Sequence, residues 1–343
     1  MMPTLVGLEQ HDTLPGIPSP AETPRVLGHG EAVAQFRQAW QSDRLHHAWL
    51  MQGPRGSGKA TLAFAFAREL LAAQGGDAAA ADLARQVASG SHPNLVHIVR
   101  PPADRGGFRT QITVDEVRKL NRFFQTTSGS RQWRVAIVDP VDDMNRNAAN
   151  ALLKMLEEPP ARCLFLIVNH LPGRLLPTIR SRCRVIRLEP LCLDVAVDVL
   201  ESLEIGVTRD ELRAAAQRSN GSVRDAIQLL SSGGLETEKR LDSLLGTREP
   251  EWHGIQALAD ELTQKDRETA FELAVSSLFS RLAAESERAS AAGDLPRAES
   301  LAALWQNEAE RFREGLLYNL DRRQLLLTHF AKRFAADRSP EAH

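Results

Sequence analysis

Apolar residues occur in two patterns over the first 190 positions of the chain. Short runs rich in apolar residues, which predict strands, lie at residues 48–51, 95–99, 134–138, 164–168 and 184–188. The run at 164–168 is nearly all apolar, as expected for a strand that is buried on both faces. Helical spacing of apolar residues predicts helices over residues 30–42, 59–73, 113–126 and 145–157. Because strands and helices alternate, we expect a parallel sheet covered by helices.

The strand pattern stops after Pro190, and residues 193–333 carry helical spacing only. Breaks near residues 231–234 and 247–250 divide this region into a small helical unit and a larger one. The expected fold class is therefore α/β followed by all-α. The expected segments are a flexible tail over 1–22, an α/β domain over 23–190, helical domains over 191–248 and 249–335, and a second tail over 336–343.

Composition and charge exclude several classes of protein. The 343 residues carry a formal charge of −2, so the chain does not coat nucleic acid by bulk charge. No apolar run approaches the roughly 18 residues of a membrane span. The first twenty residues lack the basic start and the apolar block of a secretion signal. We therefore expect a cytoplasmic protein that does not contact a membrane.

The three cysteines stand at positions 163, 183 and 192, and none lies in a C-x-x-C motif. Three cysteines cannot build a disulfide framework or a four-thiolate zinc site. We therefore expect no bound zinc. The apolar residues around Cys163 and Cys192 predict that both thiols are buried.

Residues 53–59, with the sequence GPRGSGK, fit the phosphate-loop pattern G-x-x-x-x-G-K between a predicted strand and a predicted helix. Glycines let the backbone curl around a phosphate and point its N–H groups inward, and the lysine adds positive charge. The position after the lysine normally supplies a hydroxyl for Mg²⁺, but here it is Ala60, and Thr61 lies about 100° further around the helix. The loop is predicted to cradle phosphate and to hold magnesium poorly. The candidate residues are Gly53, Gly56, Gly58, Lys59 and Thr61.

The strand at residues 134–138 ends in Asp139, which resembles the metal-binding aspartate of a Walker B strand. An ATPase of this kind also needs a neighbouring carboxylate to polarise the attacking water, and that position is Pro140. Asp142 could substitute for the missing carboxylate. Asp139 could equally be a turn residue before proline. The changes at Ala60 and Pro140 affect one reaction, so we expect a degenerate Walker B site that hydrolyses ATP poorly or not at all.

Three further segments resemble one family, the bacterial clamp-loader ATPases of the AAA+ class. They are residues 45–50 (LHHAWL), 147–159 (NAANALLKMLEEP) and 176–183 (LPTIRSRC). The resemblance covers about residues 25–235. It implies an AAA+ domain, a helical lid domain over 191–248 and a helical collar domain over 249–335. Within the family, the chain is similar to the delta-prime branch of DNA polymerase III, because it lacks the intact phosphate loop, Walker B glutamate and zinc module of the gamma/tau motor subunits.

The resemblance also implies roles for three more residues. Arg182 matches the arginine finger, which reaches the γ-phosphate of ATP on a neighbouring subunit; alternatively, it is a surface arginine paired with an acid. Asn169 matches the sensor 1 position, or it is a turn residue. Arg224, preceded by Ser222 as a helix N-cap, matches sensor 2, or it is a solvated helix arginine.

The implied partners are the gamma/tau and delta subunits of the loader, the sliding clamp and, through the complex, primed DNA. ATP is expected to bind weakly or not at all. Two alternatives stay open: an active ATPase that uses Thr61 and Asp142, and a stand-alone DNA-binding protein that uses a strip of arginines. The strip comprises Arg174, Arg180, Arg182, Arg184 and Arg187.

Overall fold

A computed structural model describes residues 10–74, 80–104, 106–125 and 132–337. The chain forms two compact units, residues 1–225 and 226–343. Parts of both predicted tails, and residue 126 at the predicted end of a helix, lie outside the described residues. The three-domain division inferred from the sequence stays a prediction.

The first unit is built on a five-stranded sheet in which every neighbouring pair of strands is parallel, in the order β2-β3-β4-β1-β5. The strands are β1 (Ala48–Gln52), β2 (Leu95–Ile98), β3 (Arg134–Val138), β4 (Cys163–Asn169) and β5 (Arg184–Arg187). All five strands predicted from the sequence are confirmed. Gln52 pairs with Asn169 at the carboxyl ends of β1 and β4, so residues that follow these strands meet at one edge of the sheet.

Helices cover both faces of this sheet. In chain order the helices of this unit are α1 (Gly30–Gln41), α2 (Lys59–Ala72), α3 (Ala80–Ala88), α4 (Val114–Gln125), α5 (Arg146–Glu157) and α6 (Pro177–Arg180), which line the sheet, followed by α7 (Leu193–Glu201), α8 (Arg209–Arg218) and α9 (Val223–Ser231), the last of which ends in the second unit. Trp49 packs with α1 and α2 on one face, whereas Leu50 packs with α4 and α5 on the other. Side chains alternate along a strand, so β1 separates two apolar layers.

Helix α3, like the four-residue helix α6, is an element of the sheet unit that the sequence pattern did not predict. It lies in a stretch rich in alanine and glycine, where periodicity is weak. Leu83 and Val87, four residues apart, are buried against the layer that contains α2. Packing of this pair against the core therefore defines the helix.

The second unit is helical throughout its described residues. It contains α10 (Gly234–Leu245), α11 (Trp252–Leu262), α12 (Glu268–Ala291), α13 (Leu295–Leu317) and α14 (Arg322–Asp337) around one apolar core. The predicted fold class, a helix-covered parallel sheet followed by helices, is confirmed. None of the helices in the described part of the chain is long and apolar enough to cross a membrane.

A buried carboxylate joins α13 to α14 in this unit. The Glu308 side chain is 0% exposed, and its Oε1 accepts hydrogen bonds from Arg311 Nε at 2.9 Å and from Lys332 Nζ at 2.7 Å. His329 Nδ1 lies 3.3 Å from Oε2. Burial alone would raise the pKa of Glu308, but these basic partners outweigh burial and hold that pKa well below its usual value.

Candidate functional site

The phosphate loop connects β1 to α2, and its glycines occupy positions that other residues would strain. Gly56 and Gly58 have φ values of 80° and 85°, a region that residues with a Cβ rarely adopt. A Cβ on Gly53 would lie 2.2 Å from the carbonyl oxygen of Leu188. The glycine pattern is thus required by the loop backbone and by its close approach to the strand end after β5.

Lys59, the first residue of α2, is only 2% exposed. Its Nζ donates hydrogen bonds to the carbonyl oxygens of Gly53, at 2.8 Å, and Pro54, and lies 3.3 Å from Ser57 Oγ. Burial lowers the pKa of Lys59 to about 8, although Asp139 and Asp142 oppose this change. The ammonium group is held by neutral oxygens, so its charge is not cancelled by a directly bonded carboxylate.

His29 is a part of the loop environment that the sequence analysis missed. Its Nε2 lies 2.7 Å from the carbonyl oxygen of Ser57, and it precedes α1, far from the loop in sequence. Burial lowers the pKa of His29, the hydrogen bond to Ser57 raises it, and Lys59 lowers it further. A neutral imidazole beside Lys59 adds no positive charge to the loop. No local sequence signal marks His29, because only the fold brings it to Ser57.

The carboxylate of Asp139, directly after β3, faces histidines. His97 Nε2 lies 3.8 Å from Asp139 Oδ2. Burial alone would raise the pKa of Asp139, but His97, His170 and His11 together lower it. Mg²⁺ prefers a shell of oxygen ligands, whereas nitrogen atoms surround this carboxylate, and Ala60 has no hydroxyl. Thr61 lies half-buried on α2, and the residues here do not fit a magnesium site.

Among the described residues, no group of three or more His, Cys, Asp and Glu side chains is arranged to hold a metal ion. Cys163 is buried, and burial raises the pKa of its thiol to about 12. Burial has the same effect on the pKa of Cys183, also raised to about 12. Cys192 is exposed, so the prediction that its thiol is buried is wrong. It directly precedes α7, where its apolar neighbours turn inward and it does not.

The structure brings Asp142 and Asn169 together. Asn169 Nδ2 donates to Asp142 Oδ1 at 2.6 Å, and Gln52 Nε2 donates to Asn169 Oδ1 at 2.9 Å. Asp142 also accepts hydrogen bonds from the backbone N–H groups of His170, at 2.5 Å, and Leu171, at 3.0 Å. Asp142 thus anchors the turn after β4, and its carboxylate is occupied by protein donors. Gln52 had a visible signal, since it is the single polar residue in the strand AWLMQ.

The segment predicted as sensor 2 contacts the phosphate loop mainly through groups that precede the arginine. Ser222 Oγ donates to the carbonyl oxygen of Arg55 at 3.2 Å, and Val223 N donates to that of Gly56 at 3.1 Å. Ser222 Oγ also accepts from Asp225 N at 3.3 Å, which supports its predicted role as the N-cap of α9. The start of α9 is therefore seated on the loop.

Arg182 lies on the opposite helical layer from α2, because Ile179 of α6 and Leu152 of α5 belong to the other apolar cluster. Its side chain is 36% exposed, and Nη2 lies 2.7 Å from Glu157 Oε1. Nη1 donates to the carbonyl oxygen of Thr178 at 3.0 Å. Nη1 also donates to Ser181 Oγ at 3.3 Å. The guanidinium is therefore partly accessible, and it is positioned by one surface ion pair and two hydrogen bonds.

The other four arginines of the strip are also exposed. Arg184 places its guanidinium 4.9 Å from the centre of the Trp49 ring. A guanidinium stacked on an aromatic ring retains its charge for a partner. The strip is thus an accessible basic surface.

Comparisons with known proteins match the sheet unit to DNA replication proteins. The family model described as "DNA polymerase III, delta subunit" matches residues 28–192. The DNA polymerase III subunit delta' of Pseudomonas aeruginosa is 40% identical over 140 residues, which are 40% of this chain and 41% of that protein. The subunit delta' of Bacillus subtilis is 32% identical over 191 residues, 55% of each chain.

A subunit gamma of DNA polymerase III, from Buchnera aphidicola of Acyrthosiphon pisum, is 28% identical over 253 residues, 70% of this chain and 67% of that protein. The chain thus spans about half the length of the delta' relatives that it matches. The similarity to the delta' subunit of DNA polymerase III, inferred from the motifs, is confirmed.

Proposed function

We propose that this chain, whose residues 28–192 match the DNA polymerase III delta-subunit family, is a clamp-loader subunit that completes the ATP site of a neighbour rather than hydrolysing ATP itself. The observation that carries the proposal is the position of Arg182, exposed and held by Glu157 on the layer opposite α2. Arginine suits this role because its planar, permanently charged fork can bind a transferring phosphoryl group.

The proposed partners are the gamma/tau and delta subunits, with the sliding clamp and primed DNA as the targets of the assembled loader. Matches to both delta' and gamma relatives support this placement. The exposed arginine strip is proposed to face acidic groups or DNA phosphates at these interfaces, and affinity for DNA would fall as salt rises. We further propose a cytoplasmic location.

Weak or absent ATP binding, poor magnesium binding and the absence of zinc belong to the same proposal. Ala60, Pro140 and the occupied carboxylate of Asp142 support the statements on ATP and magnesium. The absence of zinc is supported by the three cysteines, none of which lies in a C-x-x-C motif. The isolated chain should hydrolyse ATP no faster than Lys59→Ala. Turnover near 1 s⁻¹, within the ordinary enzyme range, that disappears in Lys59→Ala would favour the alternative of an active ATPase. Stoichiometric zinc in metal-washed protein, measured by elemental analysis, would contradict the proposed absence of zinc.

The main experiment reconstitutes the loader from this chain with gamma/tau and delta subunits, and compares Arg182→Ala with Arg180→Ala, an exposed arginine of the same strip. Arg182→Ala should slow ATP hydrolysis at the one neighbouring site by a factor of about 10³ to 10⁵. Total ATPase should therefore fall partially. Arg182→Lys should not restore it fully, because lysine lacks the planar fork.

Arg182→Ala should not change assembly or melting temperature, since an exposed ion pair contributes about 0–1 kcal/mol. Arg180→Ala should keep the natural ATPase rate of the assembled complex in the absence of DNA, because only Arg182 is proposed to reach the neighbour's γ-phosphate. Normal DNA-stimulated ATPase and normal clamp loading by an assembled Arg182→Ala complex would refute the proposal.

A further inference from the structure

The segment at residues 10–13 lies along the carboxyl edge of the sheet and contacts three parts of the candidate site. Gln10 Nε2 lies 3.3 Å from His97 Nδ1, at the end of β2. His11 Nε2 lies 3.7 Å from Asp143 Oδ2, just after β3, and its ring meets the edge of Phe108. The following residue, Asp12, approaches the phosphate loop. The segment thus crosses the region where a phosphate loop presents its N–H groups.

Asp12 lies between two arginines of the site. Its Oδ2 is 3.8 Å from Arg55 Nη2 and 3.9 Å from Arg224 Nη1, and its carbonyl oxygen accepts a hydrogen bond from Arg224 Nη1. Arg55 belongs to the phosphate loop, and Arg224 follows the residues that seat α9 on that loop. A carboxylate is the side chain that most resembles a phosphoryl group in charge and in its acceptor oxygens. Asp12 therefore supplies negative charge where a bound phosphate would supply it.

The segment forms a turn of its own and is anchored to the rest of the chain further along, at a second set of contacts. Near its start, Gln10 N donates to Thr13 Oγ1 at 2.9 Å and Thr13 N donates to the carbonyl oxygen of Gln10 at 3.1 Å, which closes a tight turn around Asp12. Further along, Arg68 of α2 donates to the carbonyl oxygens of Ala21, at 2.8 Å, and Thr23, at 2.5 Å. This anchor does not depend on Asp12, so the first part can leave the site while the chain stays attached to α2.

The contact between the segment and the sheet edge is incomplete. Within the described part of the chain, three ring nitrogens near Asp139 are buried without a hydrogen-bond partner: Nδ1 of His11, Nε2 of His97 and Nδ1 of His170. Buried polar groups are normally paired, and leaving them unpaired is unfavourable. His11 belongs to the segment and His97 to the sheet, so the contact between them holds fewer hydrogen bonds than its polar atoms could form.

We propose that residues 10–17 form a displaceable N-terminal strap in which Asp12 occupies the anion site between Arg55 and Arg224, so that a triphosphate or diphosphate group binds only after the strap leaves. The apparent dissociation constant of such a ligand is its intrinsic value divided by the fraction of molecules with an open site. A strap that is closed in nine of ten molecules would weaken binding about tenfold. This inference concerns the chain's own phosphate loop and is independent of Arg182 and of any partner subunit.

The test measures binding of a fluorescent ATP analogue and of inorganic pyrophosphate to the isolated full-length chain, at fixed ionic strength and without divalent metal. Asp12→Asn keeps the shape of the strap and removes its charge. Asp43→Asn is the matched control, because it changes net charge equally and precedes β1, at the opposite edge of the sheet. A chain that lacks residues 2–17 is the second test variant, provided that its circular dichroism matches the natural chain.

We expect Asp12→Asn to bind both probes about tenfold or more tightly than the natural chain, with Asp43→Asn unchanged. Adding Lys59→Ala to Asp12→Asn should remove the gain, which places the probe in the phosphate loop. Pyrophosphate should also increase hydrogen exchange of the amides at residues 10–17 in the natural chain. Equal affinities for Asp12→Asn, Asp43→Asn and the natural chain, or no binding to any of them, would overturn the proposal. None of these results depends on the reconstituted ATPase, so the strap and the role of Arg182 can fail separately.

Discussion

Lys59 in the first unit and Glu308 in the second are both charged and almost completely buried, but their partners differ in kind. Glu308 is bonded to the basic side chains Arg311 and Lys332 and contacts His329. Lys59 donates to backbone carbonyls, and among the described residues no carboxylate forms an ion pair with it. A buried charge with charged partners is a structural element, whereas one with neutral partners can still attract a charged ligand.

The two pKa values express this difference. The partners of Glu308 favour its ionised form, so its pKa lies well below the usual value. Burial disfavours the ionised form of Lys59 and lowers its pKa to about 8. Ionised Glu308 therefore stabilises the second unit, and ionised Lys59 is held at a cost that a bound phosphate would relieve. Removing the charge of Glu308 should therefore lower the stability of the second unit, whereas removing the charge of Lys59 should remove an unfavourable, pH-dependent contribution to the stability of the first unit.

Glu308→Gln should produce the largest loss of stability. It leaves the positive charges of Arg311 and Lys332 without their carboxylate. Because these two side chains are 24% and 46% exposed, water screens the charges that remain, and the cost lies at the low end for a broken buried pair, about 3 kcal/mol. Urea unfolding followed by circular dichroism would measure the change. Glu310→Gln, an exposed position on the same helix, should stay within about 0.5 kcal/mol of the natural chain.

The pH dependence of this loss has a defined sign. The folded-state pKa of Glu308 is lowered, so its stabilisation is present above the unfolded pKa, whose ordinary value is 4.5, and is lost as pH falls toward the folded pKa. The difference in the free energy of unfolding between Glu308→Gln and the natural chain should therefore decrease below about pH 4.5. Equal free energies of unfolding for Glu308→Gln and the natural chain at pH 7 would refute the structural role of this carboxylate.

Lys59→Met should remove a pH-dependent part of the stability of the first unit. Between the folded pKa of about 8 and the ordinary value of 10.5, the unfolded chain binds a proton that the folded chain has lost. The free energy of unfolding of the natural chain should therefore rise with pH in this window. At about 1.4 kcal/mol per pKa unit, the rise relative to Lys59→Met should be on the order of 3 kcal/mol. Unfolding curves at pH 7 to 10.5 would measure it.

Lys154→Met, at an exposed position on α5 of the same unit, serves as the control and should show no such rise. If the difference between the natural chain and Lys59→Met does not change with pH, the ammonium group is not desolvated as described. That result would remove the contrast between the two buried charges.

Gly56→Ala should have a smaller effect, which tests whether the seat of α9 on the loop is tightly packed. The new Cβ would lie 2.1 Å from Ser222 Oγ. Gly58→Ala is the matched control, because it has a similar positive φ but its Cβ would meet nothing closer than His29 Nε2 at 3.7 Å. Both variants bear the cost of the left-handed backbone, about 1–2 kcal/mol.

Only Gly56→Ala has the additional clash with Ser222, so we expect it to lose about 1–2 kcal/mol more stability than Gly58→Ala. Adding Ser222→Ala to Gly56→Ala should recover part of that loss in a thermal unfolding assay. Equal stabilities for Gly56→Ala and Gly58→Ala would show that Ser222 moves away without cost.

Local sequence patterns predicted all five strands because each contains a short run rich in apolar residues. The signal is clearest in β4, with CLFLIVN buried throughout, and weakest in β5, with RVIR. The same patterns located the phosphate loop, because Gly56 and Gly58 adopt positive φ values that favour glycine and therefore mark the loop in the sequence. They did not predict α3, because its apolar periodicity is weak and the helix is defined by the packing of Leu83 and Val87 against the core. They also gave the wrong environment for Cys192, because apolar neighbours in sequence do not fix which way one side chain points.

The sequence by itself determined the order of the elements, the loop that can hold phosphate, and the positions where catalytic groups are missing. Only the tertiary structure decided which groups occupy that loop. Asp12 and Arg224 are 212 residues apart, and Arg55 and Ser222 are 167 residues apart. Charges and hydrogen-bond donors act over a few ångströms, so such pairs exist only after the sheet has brought the ends of its strands to one edge.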